Sequence, residues 1–109
     1  MARESLGEFE HLILLSILRL GPEVYGVPII KEIEERTGRP VSQAAAYLTL
    51  RRLQGKGWIA SRLGEPTPER GGRAKRYFSL REAGKRRLAD ARNALFEMWD
   101  GVAPQLDRS

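Results

Sequence analysis

This sequence predicts a mainly α-helical chain with one small β-hairpin, and three observations carry that expectation. Apolar residues recur every three or four positions in four separate segments, the mark of helices with a buried face. Between the third and fourth segments, WIASRL and AKRYFSL flank the stretch GEPTPERGGR. Its Pro66, Pro68, Gly71 and Gly72 favour a turn over any regular element. The last segment carries a heptad-like apolar seam suited to packing on another helix. A helix followed directly by such a hairpin is the pattern of a winged helix-turn-helix. The predicted architecture is therefore that module over residues 1–80 with a C-terminal dimerisation helix over 81–109, as one continuous unit.

The first helix is expected to open on Ser5-Leu6-Gly7-Glu8, which has the form of a capping box. Phe9, Leu12, Ile13, Ser16, Ile17 and Leu20 follow at helical spacing, and Gly21-Pro22 stops the helix. Leu14, Leu15 and Leu18 add a second apolar face, which something beyond the domain's own core would have to cover. The second helix runs from about Tyr25 to Thr37, with Pro28 tolerable only in its first turn. Ile29, Ile30 and Ile33 form its buried stripe. Lys31, Glu32, Glu34, Glu35 and Arg36 read as a solvated face, and Gly38 as the stop.

Ser42 is the expected N-cap of a third helix, in which Ala46, Leu50 and Leu53 share the core stripe. Gly55 and Gly57 end it. Trp58 and Ile59 open the first strand of the hairpin; Tyr77, Phe78 and Leu80 make the return. The last helix starts near Ser79 or Leu80, where Ser79-Leu80-Arg81-Glu82 offers a second capping box, and runs to about Val102 before Pro104. Leu88, Ala91, Leu95, Met98 and Val102 form its seam, widened by Phe96 and Trp99.

Composition narrows the function. A chain of 109 residues gives one domain with a modest core, and a net charge of +5 suits a polyanionic partner without proving one. The chain has no cysteine, so thiol catalysis, disulfides and thiolate metal sites are excluded together. His11 is the single histidine and no nucleophile is patterned near it, so neither a catalytic set nor a transition-metal site can be assembled. Gly71-Gly72 lacks the strand-to-helix context of a phosphate-binding loop. No enzymatic activity and no cofactor are expected. LILLSIL is too short to span a bilayer and MARESLGEFE too acidic for a signal peptide, so no membrane partner and a cytoplasmic location are expected.

What remains is a nucleic-acid face. Gln43 suits a base edge, adenine best, Arg51 or Arg52 suits phosphate or guanine, and the Tyr47 hydroxyl suits a phosphate oxygen. Ala44 lies beside them, and Leu48 points off the core stripe, where a thymine methyl or a second chain would meet it. A surface helix of this kind can equally well meet only water. The hairpin tips the balance, because Arg70, Arg73, Lys75 and Arg76 cluster at a tip punctuated by Pro and Gly, as a wing reaching a DNA backbone requires. Phe96 and Trp99 could line a pocket for a flat hydrophobic effector, although residues so spaced fit a dimer interface better.

The ordered segments GEFEHLILLSIL, YGVPIIKEIEERTG, AAAYLTLRRLQGKGWIASRL and ERGGRAKRYFSLREAGKRRL resemble the PadR family of bacterial transcriptional regulators over nearly the whole chain. YG before the second helix, Y-x-x-L-x-R-L in the third and GGR-x-K-R-Y-F before the last are specific in combination. The resemblance implies a homodimeric winged-helix protein, usually a repressor, whose C-terminal helix packs on the partner, often against its N-terminal helix. It looks like the compact branch with one dimerising helix. Carried over by position, DNA-facing residues fall at Ser42, Gln43, Ala44 and Tyr47, with wing contacts at Arg70, Arg73 and Lys75. Some compact members bind flat aromatic compounds near a tryptophan, and Trp99 stands in a similar place. Two positions depart from the family: Leu48 replaces a frequent proline, and Arg81 a common threonine, which would move the last cap to Ser79. The partners expected are thus double-stranded DNA, a second copy and a small hydrophobic effector. The rival readings are a winged helix that docks a protein and one that binds RNA.

Overall fold

The computed structural model describes residues 6–66 and 74–107. Five helices and three strands follow in the order α1 (Glu8–Leu20), β1 (Val24–Tyr25), α2 (Gly26–Thr37), α3 (Gln43–Gly55), β2 (Ile59–Leu63), β3 (Arg76–Leu80), α4 (Glu82–Trp99) and α5 (Ala103–Asp107). The expected hairpin is present as β2 and β3, antiparallel with Ile59 opposite Leu80 and Leu63 opposite Arg76. It belongs to a three-stranded sheet in the order β1-β3-β2, because Val24 and Tyr25 pair with Phe78 and Tyr77. The extra strand was not foreseen: two residues show no alternation, and only the edge of β3 turns them into a strand.

The core lies where α1, α2 and α3 meet the sheet. Ile13, Leu14, Ile17, Ile29, Leu50, Leu53, Ile59 and Phe78 are buried together, with Trp58 and Leu88 closing one side. The two faces of α1 divide differently from expectation. Leu14 is buried and Leu20 is exposed, so the uncovered face is Leu15, Leu18 and Leu20. Ser16 is buried without penalty because its hydroxyl donates to the Leu12 carbonyl at 2.8 Å.

Both expected capping boxes are corrected. Ser5 lies outside the described residues; Gly7 is the N-cap of α1, and Glu10 reaches back to accept from its backbone N–H at 3.0 Å. Ser79 is held in β3 opposite Ala60, so the ladder claims it and Arg81 becomes the N-cap of α4 without a side-chain cap. The last helix is also interrupted. Gly101 takes a left-handed φ of 79°, ending α4 at Trp99, and Val102 falls beyond it. Pro104 then sits in the first turn of α5, where a missing N–H costs nothing.

Charged residues of α2 expected as plain surface turn out to brace the domain. Glu32 accepts from Arg19 of α1 and from Arg36. Glu34 accepts from the Val41 N–H at 3.0 Å and so fixes the turn between α2 and α3. Gly38 ends α2 with a φ of 73°, a left-handed position that favours glycine.

Candidate nucleic-acid interface

Helix α3 is presented by the elements on either side of it. Ser42 caps it as expected, its hydroxyl accepting from the Ala45 N–H at 3.2 Å. Ala46, Leu50 and Leu53 anchor one face in the core. The opposite face carries Gln43, Ala44, Tyr47, Leu48 and Arg51, all exposed. Four of the five expected α3 contacts, Gln43, Ala44, Tyr47 and Arg51, thus share one open face, with Ser42 at its start.

Tyr47 is held rather than loose, being 40% exposed. Its ring lies against the backbone of Gly26, the first residue of α2. A Cβ at Gly26 would fall on the Tyr47 hydroxyl and within 2.6 Å of its ring. The YG pair and the tyrosine of the third helix, separate in the sequence, are therefore the two halves of one contact.

The wing is tied to the start of α2 by stacked aromatic rings and cations. Tyr25 meets Tyr77 edge to face, with centroids 5.9 Å apart. Lys75 Nζ lies 4.1 Å from the Tyr25 ring centroid, and the Arg62 guanidinium 5.0 Å from that of Tyr77. Arg62 also donates twice to Glu23, at 2.7 Å each, and this hydrogen bonding holds the Glu23 carboxyl below its ordinary pKa. Gly64 makes room for Tyr77, since a Cβ there would come within 2.6 Å of that ring. Lys75 is accordingly half-buried at the wing base. Arg70 and Arg73, the other expected wing contacts, lie outside the described residues.

Between α3 and the strands is a cleft of about 620 Å³ bordered by Tyr47, Arg51, Gln54 and Arg76. Arg76 donates to the Ser61 hydroxyl at 3.0 Å, and Ser61 donates to the Gln54 side-chain oxygen at 2.8 Å. Sequence reasoning named Arg76 only as part of the tip cluster and passed over Gln54 and Ser61. No local signal distinguishes a polar pair brought together across an α3–β2 corner.

A second feature shares no lining residue with this cleft. Helices α1 and α4 flank an open, mainly apolar groove of about 760 Å³ lined by Leu12, Leu15, Ala91, Ala94 and Leu95. His11 lines it as well, and partial burial pushes its imidazole below the ordinary pKa. Among the described residues no group of three metal-ligating side chains gathers anywhere. Of the expected seam, Leu88 is 6% exposed inside the chain's own core and needs no second chain to cover it. Ala91 is half-buried at the groove, while Leu95 and Met98 are 52% and 78% exposed. Neither Phe96 nor Trp99 lines the groove; they sit further along α4, 65% and 45% exposed. Among the described residues no helix is long and apolar enough to cross a membrane.

Comparison with known proteins agrees with this arrangement. Residues 14–90 match the model of the transcriptional regulator PadR-like family. A PadR family transcription regulator of Clostridium difficile superposes with a TM-score of 0.71 at 24% identity, covering 92% of this chain and 98% of that one. A PadR family regulator of Eggerthella lenta superposes with a TM-score of 0.69 at 24% identity, covering 94% and 88%. PadR of Bacillus subtilis, solved in complex with operator DNA, gives a TM-score of 0.66 at 24% identity over 78% of this chain and 46% of that one. At these identities the likeness speaks for the fold. No curated protein matches the sequence.

Proposed function

This chain belongs to the PadR-like family of transcriptional regulators, and on that premise we propose that it is a homodimeric repressor binding an inverted-repeat operator in duplex DNA. The observation that carries the reading is the open face of α3, where Gln43, Tyr47 and Arg51 stand exposed beside a braced wing. A solved relative of the same fold is a complex with operator DNA, which supports placing duplex DNA there. In this reading α3 enters the major groove, Ser42, Gln43, Ala44, Tyr47 and Arg51 face it, and Arg70, Arg73 and Lys75 meet the backbone from the wing. The protein has no catalytic role, acts in the cytoplasm, and divides its work between residues 1–80 and a dimerising segment over 81–109.

The dimer is supported by apolar surface that one copy leaves open: Leu15, Leu18 and Leu20 on α1, and Leu95, Phe96, Met98 and Trp99 on α4. So much exposed apolar area on a small chain calls for a second surface. The groove between α1 and α4 offers a seat for a partner's α4. A flat hydrophobic effector would lodge between the two copies near Phe96 and Trp99, which stand outside the groove of a single copy.

Footprinting with genomic fragments retained by the protein tests this. Two protected half-sites about 34 Å apart are expected, one helical turn of duplex. Protection of one half-site by a monomer overturns the dimer model, and stronger retention of RNA overturns the DNA assignment. Gln43→Ala is expected to reduce preference for the selected operator by roughly 1–3 kcal/mol, whereas Arg73→Ala weakens all duplexes alike.

A double-mutant cycle probes the packing beneath this face. Gly26→Ala puts a methyl where the Tyr47 ring lies, so the ring must swing away. Its loss of DNA affinity should match that of Tyr47→Ala, and the double variant should lose no more than either. Additive losses would show that Gly26 serves DNA binding by some route other than Tyr47.

A further inference from the structure

We propose that the cleft between α3 and the wing strands grips one phosphodiester of the DNA backbone, with Arg76 as its cation and the Gln54–Ser61 pair as the device that aims it. This deepens the DNA-binding reading and rests on it. The cleft sits where a duplex strand must pass if α3 lies in the major groove and the wing reaches the neighbouring minor groove.

Hydrogen-bond chemistry fixes what the cleft can accept. A guanidinium has donors only, so the Ser61 hydroxyl must accept from Arg76. The hydroxyl proton is then free for Gln54, whose side-chain oxygen accepts it. The relay therefore uses the acceptor end of the Gln54 amide and leaves its NH₂ as a donor for an outside group. Arg51, Arg76 and the side chain of Tyr47 line the same space. Such a rim satisfies an anion with several acceptor oxygens and no donors, which describes a phosphodiester.

Charge balance leaves the same residues open, as it does Lys31, Arg81 and Arg86 among the described residues. Arg19, Arg36, Arg39, Arg62, Lys56 and Lys85 each lie within an ion pair with a glutamate. Arg76 and Arg51 have no carboxylate partner among the described residues. Their charges stand beside one another across a cleft backed by the buried ring of Phe78, which concentrates positive potential there.

Salt-dependent binding of the full chain to a mixed-sequence DNA duplex and to the selected operator tests the assignment. Arg76→Gln should lower the slope of log affinity against log salt by about one, and weaken both duplexes equally, by roughly tenfold. Arg76→Lys keeps the charge but not the geometry, so the slope should recover while affinity stays reduced. Ser61→Ala should behave as Arg76→Lys does, because it frees the guanidinium without removing it. Arg36→Gln removes a cation already paired on α2 and should leave the slope unchanged. If Arg76→Gln keeps the full slope on duplexes that the unaltered protein binds, the cleft assignment is overturned and the DNA reading stands. Equal loss from Arg36→Gln would assign the effect to overall charge and overturn it too. An unaltered protein that binds neither duplex overturns both.

Discussion

Gly84→Ala is expected to lower the unfolding free energy by about 3 kcal/mol, at the upper end of the usual cost of overpacking. Gly84 is buried in the first turn of α4, where the helix crosses the corner between α3 and β2. A Cβ there would fall on the carbonyl oxygen of Trp58 and within 2.9 Å of Leu80 Cδ1. The Leu80 side chain can turn aside, but the Trp58 backbone cannot yield easily. The Trp58 carbonyl accepts from the Arg81 N–H at 3.0 Å, the bond that sets α4 against this corner. The Trp58 ring is buried in the core, with Lys56 Nζ and the Arg87 guanidinium 4.8 and 5.2 Å from its centroid. Alanine is the better helix former by roughly 1 kcal/mol, so the net loss understates the steric cost. Chemical denaturation measures it directly. A loss below about 1 kcal/mol would mean that α4 is free to slide on the corner.

Gly84 also shows which parts of this molecule can be read from the chain. Nothing in EAGKRR marks that glycine as a contact with a carbonyl some two dozen residues earlier, because the requirement belongs to the tertiary crossing. Ser42 was legible because an N-cap is a local matter of one side chain and the amides that follow. The core stripe of α3 was legible because helical period alone sorts Ala46, Leu50 and Leu53 from Gln43, Tyr47 and Arg51. Ser79 was misread since two local rules competed for it: its spacing to Glu82 makes a capping box, yet pairing with Ala60 in the ladder offers more backbone bonds. The seam was legible as a pattern but not as an assignment. Its period runs unbroken from Leu88 onward, while the fold buries Leu88 in the domain and leaves Leu95 uncovered. The aimed arginine of the cleft was least visible, because its supports are an uncharged serine and glutamine from different elements.

Trp99→Ala should break the dimer and, through it, operator binding. An indole side chain presents up to ~250 Å², and Trp99 keeps 45% of its surface open in one copy. Covering that remainder at ~25 cal/mol per Å² is worth about 3 kcal/mol for each chain. The dimer dissociation constant should therefore rise at least about a hundredfold, a change that sedimentation equilibrium resolves. Trp99 follows Leu95 by one helical turn, and Leu95 lines the groove together with Ala91. A half-operator should bind the variant about as well as the unaltered protein, since α3 and the wing are untouched. The full operator should bind more weakly, because two weakly joined copies lose the benefit of engaging both half-sites together. Fluorescence separates this from unfolding, since Trp58 remains as a core reporter and should keep its buried emission. If the variant stays dimeric at the concentrations at which it binds DNA, the interface lies elsewhere, with the Leu15 and Leu18 face of α1 the next surface to alter.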